Sequence, residues 1–199
     1  MNKIAVVTSG MSRGSNLEAM VSYFRENRLP VEVCFVVVTR TQAPVIEKCD
    51  AMKIPVVYLR TNDMALFESK LLEKIHQEHP ELLVLAGFLK KLSSGFLSSL
   101  PCKVVNIHPA LLPKYGGEGM YGHFVHEAVF QAGDRMSGAT VHWVNENYDA
   151  GRIIAQETVD ITDCRTPDEI AARVLRVEHQ LYGKTIWQIL SADTGKRVC

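Results

Sequence analysis

Apolar residues fall along this chain in two rhythms. Short β-branched and aliphatic runs occupy residues 4–8 (IAVVT), 31–39 (VEVCFVVVT), 56–59, 81–86 (ELLVLA) and the stretch that begins at Val104. Between them lie stretches in which apolar side chains recur every three or four positions. Nearly continuous apolar runs of this length predict strands covered by helices on both faces. The intervening periodicity predicts helices after Gly14, from Pro44 to about Met52, over 63–79, through a short segment ending at Leu100, and over 123–132. Pro44 suits the first turn of its helix, and Ser15 or Asn16 is placed to cap the first one. A last helix starts at Thr166-Pro167-Asp168-Glu169, a capping box, and carries Ile170, Val174, Val177, Leu181 and Ile186 on one face to about Leu190.

Strands alternating with helices at this spacing imply a parallel sheet with right-handed crossovers. The alternating run 139–144 (ATVHWV) and the run 153–159, joined through N-E-N-Y-D-A-G-R, imply an antiparallel strand pair beside it. The expected fold is a single α/β domain over residues 1–190. It has a doubly wound, mostly parallel sheet with helices on both faces, a C-terminal antiparallel pair, a long last helix and a polar tail over 191–199. A chain of 199 residues supports one sizeable core and no more.

Charge and composition narrow the function. Lys plus Arg equals Asp plus Glu at 22 each, so no net field favours nucleic acid or an anionic membrane. No apolar run approaches the roughly 20 residues of a membrane span, and the chain opens directly on a strand, which predicts a cytoplasmic protein. Cys34, Cys49, Cys102, Cys164 and Cys199 show no metal spacing and read as reduced thiols. His76 and His79 lack further ligands, so no metal is expected.

The candidate chemistry sits in V-V-N-I-H-P-A-L-L-P, residues 104–113. Asn106 and His108, two apart on a strand, leave by the same face, and the prolines end the strand just beyond them. In an open parallel sheet the carboxyl ends of the strands are where ligands bind, although a turn-capping role fits these residues equally well on this segment alone. Asp149 in the turn N-Y-D-A-G could orient the imidazole of His108, raise its pKa and favour the cation, or could serve only the turn. A cationic His and an Asn amide are both donors suited to an oxyanion that develops during acyl transfer. Asp149 suits removal of a proton from an attacking amine. With no activated Ser or Cys in the set, direct transfer between two bound substrates is expected. The first loop, S-G-M-S-R-G-S-N, suits an anion at a helix N-terminus, with Arg13 adding charge. Residues 114–122, with four glycines, read as a mobile loop over the site.

At these residues the chain resembles the folate-dependent formyltransferases, from residue 4 to about 190. The resemblance rests on N-I-H-P-A-L-L-P-K-Y at 106–115, L-A-G-F at 85–88 and Y-D-A-G at 148–151. Within that family it is most similar to the glycinamide ribonucleotide branch of purine synthesis, favoured by the K-Y continuation, the chain length and Glu178-His179. The resemblance implies a Rossmann-like fold. It also implies formyl transfer from 10-formyltetrahydrofolate, as co-substrate, to the amine of glycinamide ribonucleotide through an oxyanion intermediate. Asn106 and His108 would hold the formyl oxygen and Asp149 would complete the catalytic set. Gly14, Ser15, Asn16 and Glu178, with Arg13, would bind glycinamide ribonucleotide. The folate would lie along Leu89, Lys90, Lys91 and Leu92 and against Asn106, Val144, Asn145, Glu146, Asn147 and Tyr148. Small-molecule substrates are the expected partners, with no nucleic acid and no membrane, in a monomer or homodimer.

Three departures accompany the resemblance. The first loop is two residues longer than the family's S-G-x-G-[ST]-N. A family Arg stands here as Met64, with Arg60 or Lys90 as possible substitutes. G-G-E-G-M-Y-G-H replaces P-G-x-H-T-H near the expected acceptor. These keep open a formyltransferase acting on another small amine, such as an amino sugar nucleotide, and a non-catalytic folate-binding protein on the same fold.

Overall fold

Alternation along β1 (Asn2–Val7) organises the molecule. Ile4 and Val6 point into one apolar cluster, Ala5 and Val7 into another, and all four are inaccessible to solvent. A strand buried on both faces needs helices on both sides, and the computed structural model, which describes residues 1–10 and 13–194, supplies them. On the first face lie α1 (Ser15–Glu26), α2 (Val45–Met52) and α6 (Pro167–Thr194), which contribute Leu17, Met20, Phe24, Val45, Cys49, Val177, Leu181 and Ile186. On the second lie α3 (Met64–Glu78) and α4 (Ser94–Ser99), with Phe67, Leu71, Ile75 and Phe96. A third cluster joins α5 (His123–Gln131) to α6 through Val129, Ile170 and Val174.

The strands β2 (Val31–Val38), β3 (Val56–Tyr58), β4 (Leu82–Leu85), β5 (Lys103–His108), β6 (Met136–Trp143) and β7 (Ile153–Asp160) complete one sheet in the order β3-β2-β1-β4-β5-β6-β7. The first five strands of the chain run parallel, and β6 and β7 form the expected antiparallel pair. The strand order changes direction at β1, which pairs with β2 on one side and β4 on the other. A ligand crevice belongs at that switch point. Sequence periodicity did not foresee that β6 also runs antiparallel to β5, setting Asn106 opposite His142 and His108 opposite Thr140.

Local departures have local causes. The helix α1 is capped by Gly14 in the left-handed region, not by the side chain of Ser15 or Asn16. The helix expected over 63–79 is α3, capped by the Asp63 side chain; Leu66 is exposed and Phe67 takes the buried position. The strand β6 begins at Met136, three residues before the alternating run, because it continues to pair with Val159 and Asp160. The last helix runs on through Ser191 to Thr194, into the expected polar tail. The rest of that tail, residues 195–199, and residues 11 and 12 of the first loop lie outside the described residues.

One buried tyrosine ties α6 to the crevice. The Tyr182 hydroxyl lies 2.7 Å from the Leu85 carbonyl oxygen and 3.3 Å from that of Val105, donating into the ends of β4 and β5. Tyr182→Phe leaves these carbonyls without that donor at little change in volume. Unfolding in urea is expected to show a loss of about 1–3 kcal/mol.

Candidate active site

The prolines after β5 turn the chain sharply, and a small polar network holds the turn. The Thr140 hydroxyl donates to the Ala110 carbonyl (2.6 Å) and accepts from the Leu112 amide (3.1 Å) and Gln156 Nε2 (2.8 Å). Gln156 also donates to the Leu112 carbonyl at 3.1 Å. The turn returns residues 114–117 to the strand end, where Tyr115 O accepts from His108 Nε2 at 2.8 Å. The other ring nitrogen, Nδ1, lies 3.4 Å from Asp149 Oδ2. Asp149 has φ +52, a left-handed conformation that its short polar side chain tolerates. Its Oδ2 also accepts from the Gly117 amide at 3.0 Å.

His142 completes this group and was not among the residues singled out from the sequence. Its Nδ1 lies 2.9 Å from the Trp143 carbonyl, which fixes the proton there. Nε2 is then the acceptor for Asn106 Nδ2 at 3.2 Å, and it stands 3.6 Å from Asp149 Oδ1. Four side chains from β5, β6 and the loop before β7 thus share one space. The alternation of Thr140 and His142 in the run 139–144 was the available signal. It needed the β5–β6 register to acquire meaning.

Burial sets the electrostatics. His108 is 4% exposed, and the loss of water pushes its pKa below the usual imidazole value. Asp149 and the Tyr115 carbonyl push it up, and His142 adds to the downward push. The net direction is down, so the expected rise caused by Asp149 is outweighed and the resting ring is neutral near pH 7. Burial also pushes Asp149 upward, but His142, His108 and the Gly117 amide together hold it below the usual carboxylate range. It is therefore an anion beside a neutral imidazole.

These residues open on a cleft of about 530 Å³. Its lining brings together Asn106, His108 and Asp149 with Asn16, Glu178, residues 89–92, Val144, Asn145, Asn147 and Tyr148, all expected from the sequence. Glu178, on α6, is 8% exposed. Its carboxyl is pushed up to about 7 by burial, against a 2.7 Å hydrogen bond from Asn16 Nδ2. Val144 and Leu92 serve both core and cleft.

Some expected residues stand apart. Arg13 is exposed, and neither it nor Gly14 nor Ser15 lines the cleft. Gly14 is needed by the fold: at φ +70, an added Cβ would lie 2.4 Å from Val45 Cγ2. Glu146 lines a shallow neighbouring groove with Met64, Glu68 and Ser93, and Lys91, Leu92 and Asn147 border both spaces. Of the two possible substitutes for the family Arg, Arg60 is turned to the Tyr58 hydroxyl at 3.1 Å, whereas Lys90 lines the cleft. The glycine-rich loop contributes Met120 and Tyr121 to the lining, and α5 contributes buried His126, whose pKa burial lowers to about 4. Among the described residues, no cluster of three or more His, Cys, Asp or Glu side chains could hold a metal ion. No described helix is long and apolar enough to cross a membrane.

Residues 2–186 match the family model described as formyl transferase. The chain is 37% identical over 191 residues to the chloroplastic phosphoribosylglycinamide formyltransferase of Arabidopsis thaliana, covering 94% of this chain and 65% of that protein. It thus spans just under two thirds of that relative's length. It is 35% identical over 196 residues to phosphoribosylglycinamide formyltransferase of Bacillus subtilis, covering 97% of each. Among solved structures, glycinamide ribonucleotide transformylase 1 from Symbiobacterium toebii superposes with a TM-score of 0.87 at 27% identity, covering 96% of this chain and 89% of that one. The protein of the same name from Geobacillus kaustophilus gives 0.85 at 31% identity, covering 96% and 99%. The chain belongs to the formyl transferase family.

Proposed function

We propose that this protein transfers a formyl group from 10-formyltetrahydrofolate to the amine of glycinamide ribonucleotide, N1-(5-phospho-D-ribosyl)glycinamide, in de novo purine synthesis. The observation that carries the reading is the convergence of Asn106, His108 and Asp149 at one strand end, within a cleft also lined by Asn16, Glu178 and residues 89–92. The names of the relatives support the choice of substrates.

The chemistry follows from the donors. An Asn amide nitrogen carries two N–H groups, and His142 takes one from Asn106, which leaves the other for the formyl oxygen. His108 gives Nε2–H to Tyr115, so Nδ1, beside Asp149, is its working nitrogen. Asp149 takes the proton of the attacking amine, directly or through one water, and shares it with Nδ1. The imidazolium formed then stands beside the oxygen on which negative charge develops; as the intermediate collapses, the bond from the formyl carbon to the folate nitrogen breaks and the proton passes, through Asp149 or one water, to that departing nitrogen, which restores neutral His108. Among the described residues no cysteine lines the cleft, and burial pushes the Cys49 and Cys102 thiols up to about 11, which favours direct transfer over a covalent intermediate. Glu178 and Asn16 face the acceptor. Gly14, Ser15 and Asn16 hold its phosphate at the start of α1, with Arg13 adding charge. Residues 89–92 and 144–148 hold the folate, whose pterin is read by backbone groups.

Two measurements test this reading. The first follows tetrahydrofolate formation by the purified protein with both substrates. Asn106→Ala is expected to lose roughly 100- to 1000-fold in rate, the usual cost of removing one such donor. A wild-type protein inert with glycinamide ribonucleotide but active on an amino sugar nucleotide would remove the acceptor assignment. Folate binding without transfer to any amine would remove the enzymatic one.

The second measurement needs no substrate. Glu178 titrates near 7 when folded and near 4.5 when unfolded, so between those values the folded state holds more protons. Its contribution to stability is complete below about pH 4.5 and is lost as pH rises through 7, by on the order of 3 kcal/mol in total. Urea unfolding across pH 5 to about 8 should show this slope diminished in Glu178→Gln, with the variant gaining on wild type as pH rises.

A further inference from the structure

Tyr115 has backbone φ +57, a conformation that a bulky L residue holds only when its surroundings impose it. Two anchors impose it here. The Tyr115 ring packs against the cluster of Val129, Ile161, Ile170 and Val174. The Tyr115 hydroxyl donates to Asp134 Oδ2 at 2.8 Å. Asp134 is itself held, because Lys114 Nζ lies 3.0 and 2.8 Å from its two carboxylate oxygens. It follows Gly133, which has φ +66 just after the end of α5. The consequence of both anchors appears at the other end of the residue, where the Tyr115 carbonyl oxygen meets His108 Nε2 at 2.8 Å.

We propose that Asp134, acting through Tyr115, is a positioning residue that sets the tautomer of His108. The inference deepens the formyl-transfer reading and rests on it. A neutral imidazole carries one proton, and both nitrogens of His108 face oxygen: Nε2 the Tyr115 carbonyl, Nδ1 the Asp149 carboxylate. A carboxylate is the stronger acceptor, so without a well-placed carbonyl the proton would move to Nδ1. That nitrogen would then be occupied before the reaction begins, unable to take the proton arriving through Asp149. The Tyr115 carbonyl keeps the proton on Nε2 and leaves Nδ1 open. This is the logic by which a hydrogen bond to one imidazole nitrogen selects the form of the other. Neither Asp134 nor the Tyr115 hydroxyl lines the cleft, so their effect on the reaction passes through the ring of His108.

The test combines nitrogen-15 NMR of the histidine rings with steady-state kinetics, on wild type, Tyr115→Phe, Asp134→Ala and Asp134→Asn. The His108 signals are assigned by their loss in His108→Gln. At about pH 8, where imidazole is neutral, wild type is expected to hold His108 mainly as the Nε2–H tautomer. Tyr115→Phe and Asp134→Ala are expected to shift it toward Nδ1–H. Their kcat should fall about tenfold, in proportion to the competent fraction, with both KM values within about twofold of wild type. Asp134→Asn keeps an oxygen for the phenol and should retain most of the activity. An unchanged tautomer ratio in Tyr115→Phe, which removes a single oxygen, overturns the proposal even if Asp134→Ala fails to fold. The spectra require no substrate. A tautomer shift in a protein without transfer activity would uphold the positioning role and reject the formyl-transfer reading instead.

Discussion

The antiparallel pairing of β6 with β5 is the interaction on which the site depends. A sixth parallel strand at that edge would require a crossover and would bring a different strand end to the crevice. Reversal brings the middle of β6 past the end of β5, with His142 beside Asn106 and Thr140 beside His108. Asn106 and His108 line the cleft and their partners support them: His142 orients the Asn106 amide, and Thr140 holds the turn that brings Tyr115 back to His108. A slip of one residue would turn His142 and Thr140 to the opposite face and undo both supports.

Burial gives these groups their working states. The chain is neutral overall, so the electrostatics of the cleft are local. Withdrawal from water pushes His108, His126 and Glu178 toward their uncharged forms. Asp149 resists the same push because His142, His108 and the Gly117 amide surround it. The result is an anion beside a neutral His108, which suits a group that must accept a proton and share it. A fully charged set would hold its protons in fixed ion pairs, and a fully neutral one would offer no base.

Much of this was legible in the sequence. Strand and helix order followed from periodicity, and the same-face placement of Asn106 and His108 from their spacing of two. What the sequence withheld depended on contacts between distant segments. The direction of the His108 shift reversed because 4% exposure outweighs one carboxylate, and exposure belongs to the folded chain. Nothing local marks Glu178 as buried, because Val177 and Leu181 define the apolar stripe of α6. Its position beside that stripe becomes the buried cleft edge only when Asn16 of α1 packs against it. His142 was visible only as one polar residue in an alternating strand. The Pro167 helix start, by contrast, was local: the Glu169 amide donates to the Thr166 hydroxyl as expected of a cap, while the Glu169 carboxylate accepts from the Arg165 amide at 2.5 Å instead of closing the box on Thr166.

Two of the non-glycine residues with positive φ stand on either side of His108. Tyr115 and Asp149 both adopt positive φ, and each presents an oxygen to one nitrogen of the same ring. Ordinary extended or helical backbone at either position would carry its oxygen elsewhere. The amide of Gly117, two residues past Tyr115, closes the circuit by donating to Asp149, so the loop that holds one side of the imidazole also holds the partner on the other. Gly116 has a reason beyond mobility. A Cβ at Gly116 would lie 3.2 Å from that of Asp149 and 2.5 Å from Leu112 Cδ2, so a glycine there lets the loop approach closely enough to make both contacts. The backbone around the motif therefore determines what each nitrogen of His108 meets: the Tyr115 carbonyl at Nε2 and the Asp149 carboxylate at Nδ1.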